Sequence, residues 1–286
     1  MAHCESIRKH ATDMKDLVIR TVYGLFFAIM VAGSILTSKW LLAILLIAVV
    51  IIGADEMIRL RVKSNPVRSD KFLMILLPVL LFCLMATTAL GLLPVRFLIS
   101  SLLLLLFPFL HALFNQRYTF TDMAGVYWPS FLMVAMPAGL MLFFYNEAIV
   151  GELAGAHLLL SVIILVWLND IFAYLVGIKF GRHRLFERIS PKKSWEGSIG
   201  GLVLTLVSAL IFSHFTGLVS LEKAAIIAFL VVITGSLGDL VESMLKRQAG
   251  VKDSGKLIPG HGGILDRFDA SFFAVPFVFV YLILIH

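Results

Sequence analysis

The sequence predicts an all-α, polytopic membrane helix bundle, and three observations predict it. The 286 residues are 60% hydrophobic with a mean hydropathy of +0.97. Charged residues make up only 15% of the chain, against roughly 25% in soluble domains. Long apolar runs recur between short polar breaks, and Lys and Arg fall unevenly among those breaks. A soluble core cannot use so much apolar sequence, whereas the hydrocarbon of a bilayer can.

About 20 apolar residues cross the hydrocarbon as a helix. Runs of that order cover residues 17–37, 40–58, 72–91, 95–114, 124–145, 153–178, 199–217, 223–244 and 270–286, about nine spans. A transmembrane β-barrel would need short alternating strands, and the run from Leu102 to Leu106 does not alternate. Arg8, Lys9, Lys15 and Arg20 precede the first run in the manner of a signal peptide. There is no clear small-x-small cleavage site, and further spans follow at once, so a retained first helix is expected.

The polar breaks test this count. With nine spans and a cytoplasmic N-terminus, every one of the 24 Lys and Arg residues except Lys39, Arg96 and Lys223 falls on the cytoplasmic side. A missed or extra span would scramble that partition, so the asymmetry supports both count and orientation. The same bias accounts for the net charge of +6, and no nucleic-acid partner is expected. Cys4 and Cys83 have neither a disulfide pattern nor metal-ligand spacing. The chain divides into N-terminal helices over 1–150, about five spans, and a C-terminal region over 151–286. The latter carries two unusual loops, about 179–198 and 246–269.

Several charges lie where lipid is expected. Asn169 and Asp170 interrupt the sixth apolar run. An ionised carboxylate at mid-span costs roughly 2.5–3.5 kcal/mol on insertion scales, so a partner, a cation or a wet cavity must offset it. An interhelical hydrogen bond is the bland account, a functional polar cavity the other. At the end of the eighth run Asp239, Glu242, Ser243, Lys246 and Arg247 follow helical spacing, so several share one face. Ion pairs on an amphipathic helix end would give the same pattern.

The loop that follows holds Lys252, Asp253, Gly255, Lys256, Gly260, His261, Gly262, Gly263, Asp266, Arg267 and Asp269. Its glycines permit positive φ and close backbone approach, as a phosphate-cradling loop requires. Lys252 and Lys256 can neutralise phosphate, His261 can donate to it, and Arg267 can hold it bidentately. Asp266 and Asp269, three apart on a helical start, would face one way with Asp239 nearby. Oxygen donors of this kind suit magnesium, which takes one or two carboxylates plus substrate phosphates; one His without Cys does not suit zinc. A solvated turn and N-terminal helix capping are the alternatives. The other loop reads Ser190-Pro191-Lys192-Lys193-Ser194-Trp195-Glu196-Gly197. It offers two lysines and two hydroxyls to a phosphate, though an interfacial Trp beside ordinary cytoplasmic lysines explains it as well.

The stretch SMLKRQAGVKDSGKLIPGHGGILDRFD, Ser243 to Asp269, resembles the C-terminal signature of bacterial phosphatidate cytidylyltransferases, also called CDP-diacylglycerol synthases. SPKKSWEG at 190–197 and NDIFAY at 169–174 resemble further family segments. The resemblance covers the C-terminal 120 or so residues; the first 150 match only as hydrophobic spans. It implies transfer of the cytidylyl group of CTP to phosphatidic acid, giving CDP-diacylglycerol and pyrophosphate, in the bacterial cytoplasmic (inner) membrane with the site facing the cytoplasm. Implied catalytic residues are Asp239, Lys246, Arg247, Asp266, Arg267 and Asp269. Asp239, Asp266 and Asp269 would hold magnesium, with a second, monovalent cation such as potassium nearby. Substrate contacts would come from Asn169, Asp170, Ser190, Lys192, Lys193, Ser194, Ser243, Lys252, Asp253, Lys256, His261, Gly262 and Gly263. The family also admits a homodimer, for which no residue here argues. Two other readings stay open: an ion-coupled transporter with Asp170 and Asp239 as ion sites, and a CTP-dependent polyprenol kinase.

Overall fold

The computed structural model describes residues 21–62, 66–146, 155–255, 257 and 262–285. Among these, nine helices follow one another: α1 (Thr21–Thr37), α2 (Lys39–Arg61), α3 (Arg68–Ala89), α4 (Val95–Phe114), α5 (Phe120–Phe143), α6 (Gly155–Phe180), α7 (Trp195–Thr216), α8 (Leu221–Gln248) and α9 (Leu265–Leu284). All but α1 are long and apolar enough to cross a membrane, and α1 is a shorter apolar helix. The protein is thus an all-α integral membrane bundle, as the apolar runs predict.

Local chemistry sets the helix starts. Ser38, Ser194 and Ser220 cap α2, α7 and α8 by accepting from Trp40, Gly197 and Lys223 amides, which fills donors the first turn leaves open. Thr119 and Asp122 form a reciprocal capping box at α5. Within α5, Pro129 cannot donate to the helical ladder, and the next residues, Ser130–Ala135, widen into a π-helical turn. That turn is buried against α2 and α3.

Two sets of helices pack around a shared core. α2, α3 and α5 form one and α6, α7, α8 and α9 the other, with α9 also lying against α5. The α6–α7 contact is built on small residues. Gly197 and Gly201 of α7 lie against Ala173, Gly177 and Asn169 of α6 with no room for a Cβ, the close approach that drives helix association in lipid.

Cross-links place the basic breaks at one end of the bundle. Lys71 pairs with Asp55, Arg117 with Asp70 and Lys246 with Asp266, and Arg247 donates to the Ile189 carbonyl. At the opposite end the Tyr145 hydroxyl donates to the Ile35 carbonyl.

The structure corrects two expectations about the loops. α8 runs on to Gln248 and α9 begins at Leu265, so Lys246, Arg247, Asp266, Arg267 and Asp269 stand on helices inside the span assigned to the loop 246–269. The loop 179–198 contains an antiparallel hairpin, β1 (Arg184–Phe186) and β2 (Ser190–Ser194), and its end is the first turn of α7. Apolar content under-reports helix length here, because the last turns of these helices are polar and face one another rather than lipid.

Candidate active site

One face of α8 supplies the centre of the site. Asp239 Oδ1 accepts from Ser243 Oγ at 3.2 Å, one turn on, and Asp239 Oδ2 pairs with Lys193 Nζ at 2.5 Å. Lys246 Nζ donates to Glu242 Oε2 at 2.6 Å and to Asp266 Oδ1 at 2.5 Å. Glu242 and Lys246 are both buried. Three charges thus lie in contact, two carboxylates sharing one ammonium, and each is tolerable there only because the others are present.

Asp266, in the first turn of α9, has a second oxygen that holds the loop. Its Oδ2 accepts from the Ser254 amide at 2.9 Å, the Ser254 hydroxyl at 3.0 Å and the Gly263 amide at 2.8 Å. Gly262 has φ of 82°, a conformation that costs glycine little. Gly255 and Gly263 serve differently: neither has positive φ, and a Cβ on either would run into Glu56. They are there for close approach.

The carboxylate they make room for comes from α2. Glu56 is 3% exposed, and accepts from Ser254 Oγ at 2.8 Å, the Ile264 amide at 2.9 Å and the Leu265 amide at 3.0 Å. Two of these donors open α9, where the helix dipole favours negative charge. Sequence reasoning missed Glu56, and gave Glu242 a place on the α8 face but no role. The available signal for Glu56 was an acidic pair, Asp55-Glu56, ending an apolar run.

These elements enclose a cavity of about 360 Å³ at the basic end, lined by Asp170, Asp239, Ser243, Lys246, Arg247, Lys252, Asp253, Asp266, Arg267 and Asp269. Lys193 joins it through Asp239. Other candidates lie off this wall. Ser194 is the buried cap of α7, Asn169 is buried in the α6–α7 contact, and Ser190 and Lys192 sit on β2. Gly262 and Gly263 touch the site through Asp266. Lys256 and His261 lie outside the described residues.

A model of the cytidylyltransferase family matches residues 18–285, almost the whole of this chain. The protein belongs to the cytidylyltransferase family. A phosphatidate cytidylyltransferase of Haemophilus influenzae is 51% identical over 128 residues, covering 43% of this chain and 44% of that protein. One from Staphylococcus saprophyticus is 45% identical over 130 residues, covering 45% and 50%. One from Staphylococcus aureus is 39% identical over 170 residues, covering 59% and 62%. The chain spans about half the length of the curated relatives it matches.

The cavity of this cytidylyltransferase family member suits a divalent cation by donor chemistry and by charge. Among the described residues no three acidic, His or Cys side chains converge to hold a metal unaided. Magnesium does not require that, since substrate phosphates complete its oxygen shell. The five carboxylates on the wall (Asp170, Asp239, Asp253, Asp266, Asp269) are matched by Lys246, Arg247, Lys252 and Arg267, with Lys193 on Asp239. Glu242, which shares Lys246, adds a sixth carboxylate beside five basic side chains, so the fixed charges leave room for one more cation.

Proposed function

We propose that the protein transfers the cytidylyl group of CTP to phosphatidic acid, forming CDP-diacylglycerol and pyrophosphate at the cytoplasmic face of a bacterial inner membrane. The observation that carries this reading is the cavity itself. It combines phosphate-binding cations with hard oxygen donors at the polar end of membrane-crossing helices, in a member of the cytidylyltransferase family. A lipid phosphate and a soluble nucleotide can meet only at such a boundary.

The chemistry asks little of the protein in the way of proton transfer. A phosphate oxygen of phosphatidic acid attacks the α-phosphorus of CTP, the bond from that phosphorus to the α–β bridging oxygen breaks, and pyrophosphate leaves. The nucleophile is already ionised, so no strong general base is needed. Arg247 and Lys252, both exposed on the cavity wall, bind the phosphates and offset charge on the departing pyrophosphate. Lys246, fixed between Glu242 and Asp266, offsets part of the charge of those two carboxylates beside the phosphates. Magnesium held by Asp239 and Asp269 together with substrate phosphates, with a monovalent cation such as potassium beside it, would polarise the α-phosphate and screen the two anions from each other; Asp266, the third carboxylate expected to bind it, has both oxygens taken by Lys246, Ser254 and Gly263.

The test uses protein purified in detergent with phosphatidic acid, magnesium and CTP labelled at the α-phosphorus. Label should enter lipid with wild type, and more slowly with Asp269→Asn at the same, sub-saturating magnesium concentration. A polyprenol kinase would leave CDP as product, and a transporter would release neither CDP nor pyrophosphate; either result removes the cytidylyltransferase reading.

A further inference from the structure

A second cavity, about 290 Å³, adjoins the first between α1, α6 and α9. Tyr23, Phe27 and Ala28 of α1 and Val166, Trp167 and Ile171 of α6 give it largely apolar sides. Its far end is closed by Asp170, Asp266, Arg267 and Asp269, the same four residues that line one side of the polar cavity. The two spaces therefore share a wall.

The basic side chains are divided between them. Lys246, Arg247 and Lys252 line only the polar cavity, and Arg267 is the one cation on the apolar cavity among the described residues. Their hydrogen bonding differs too. Lys246 is committed to Glu242 and Asp266, and Arg247 to the Ile189 and Val251 carbonyls. The Nε of Arg267 is buried with no hydrogen-bond partner among the described residues. The guanidinium of Arg267 stands beside Asp170, Asp266 and Asp269 at the end of an apolar chamber walled by membrane helices, and a planar cation so placed suits a phosphate monoester carried on hydrocarbon chains. A nucleotide has no use for the apolar sides.

We propose that the α1–α6–α9 cavity is the lipid subsite and that Arg267 holds the phosphate of phosphatidic acid there, presenting it across the shared wall to nucleotide bound on the Arg247–Lys252 side. This assignment rests on the cytidylyl-transfer reading above and adds which cation serves which substrate. α1 then acts as a wall of the lipid chamber, with Phe27 seated edge-on against Phe268 at 5.5 Å between ring centres.

The experiment measures initial rates of the full chain in mixed micelles, varying the surface fraction of phosphatidic acid and the CTP concentration separately. Arg267→Lys loses the planar fork and should raise KM for phosphatidic acid roughly tenfold or more, with KM for CTP unchanged. Phe27→Ala should raise the lipid KM alone, and Lys252→Ala the CTP KM alone. Equilibrium dialysis of labelled CTP against Arg267→Lys reads nucleotide binding without turnover and should match wild type. Should Arg267→Lys not fold, Phe27→Ala carries the test. An active enzyme in which Arg267→Lys or Phe27→Ala raises KM for CTP, or both KM values alike, overturns the subsite assignment and leaves cytidylyl transfer standing. A wild type that forms no labelled lipid overturns both.

Discussion

Glu56 and Ser254 stand 198 positions apart in sequence and share a 2.8 Å hydrogen bond. With the Ile264 and Leu265 amides, that bond fastens the glycine-rich loop and the start of α9 to the end of α2. Hydrogen bonds to a charged acceptor are worth about 1.5–3 kcal/mol each. Glu56→Gln keeps the shape but gives up the charge and one accepting oxygen. It should lower the unfolding free energy in detergent by about 2–3 kcal/mol and speed hydrogen exchange at the Ser254, Ile264 and Leu265 amides. Wild-type stability and protection in this variant would show that the bonds do not hold the loop.

Removing Lys246 strands the buried Glu242 carboxylate and takes the cation from Asp266, which keeps its Ser254 and Gly263 donors. Breaking a buried pair from one side costs about 3–5 kcal/mol, so Lys246→Met should unfold early in a denaturant titration or fail to accumulate in the membrane. Adding Glu242→Gln should recover part of that loss, because the stranded charge goes with it. A double variant no more stable than Lys246→Met alone would refute the shared-ammonium arrangement.

Asp266 and Asp269 should separate in their effects. Asp266 spends both oxygens on Lys246, Ser254 and Gly263, whereas among the described residues Asp269 accepts from the adjacent Ala270 amide alone. Asp269→Asn should therefore raise the magnesium concentration for half-maximal activity at least about tenfold with little change in stability. Asp266→Asn should lose stability as well as activity. Chelation of magnesium should abolish labelled lipid in the wild type.

The α6–α7 contact depends on an absent side chain. At Gly201 a Cβ would press on Asn169 and Ala173, and overpacking of this kind costs about 1–3 kcal/mol. Gly201→Val should shift thermal unfolding downward, while Ser208→Val, on an exposed part of α7, should not.

Orientation is open to direct labelling. With Cys4 and Cys83 replaced by Ser, Lys192→Cys on the exposed hairpin should react with a membrane-impermeant maleimide only in inside-out vesicles. Lys223→Cys, at the opposite end of α8, should react only in right-side-out ones. The reverse pattern would invert the proposed topology.

What the sequence revealed and what it hid divide along one physical line. The spacing of Asp239, Ser243 and Lys246 was readable because helical neighbours lie three or four positions apart, and the apolar runs were readable because lipid demands them over some 20 residues. The Glu56 contact was not readable, since no periodicity links α2 to a loop some 200 positions later. The hairpin was missed because strands of three and five residues, mostly polar and basic, carry no alternating apolar signal. Gly255 and Gly263 drew attention as phosphate-loop residues, and they do allow close approach to an anion, but the anion is the protein's own Glu56.

The carboxylate of Glu56 also sets an order of events during biogenesis. It enters the membrane with α2, but the Leu265 amide that caps it follows 209 residues later. Through most of synthesis that charge must stay near interfacial water. Only the arrival of α9 supplies permanent donors, and the same event brings Asp266, Arg267 and Asp269 into position. Completion of the polar cavity is thus tied to insertion of a late helix, and a nascent chain stalled before it would hold an acidic group at the membrane edge, a mark by which quality control could tell partial product from finished protein.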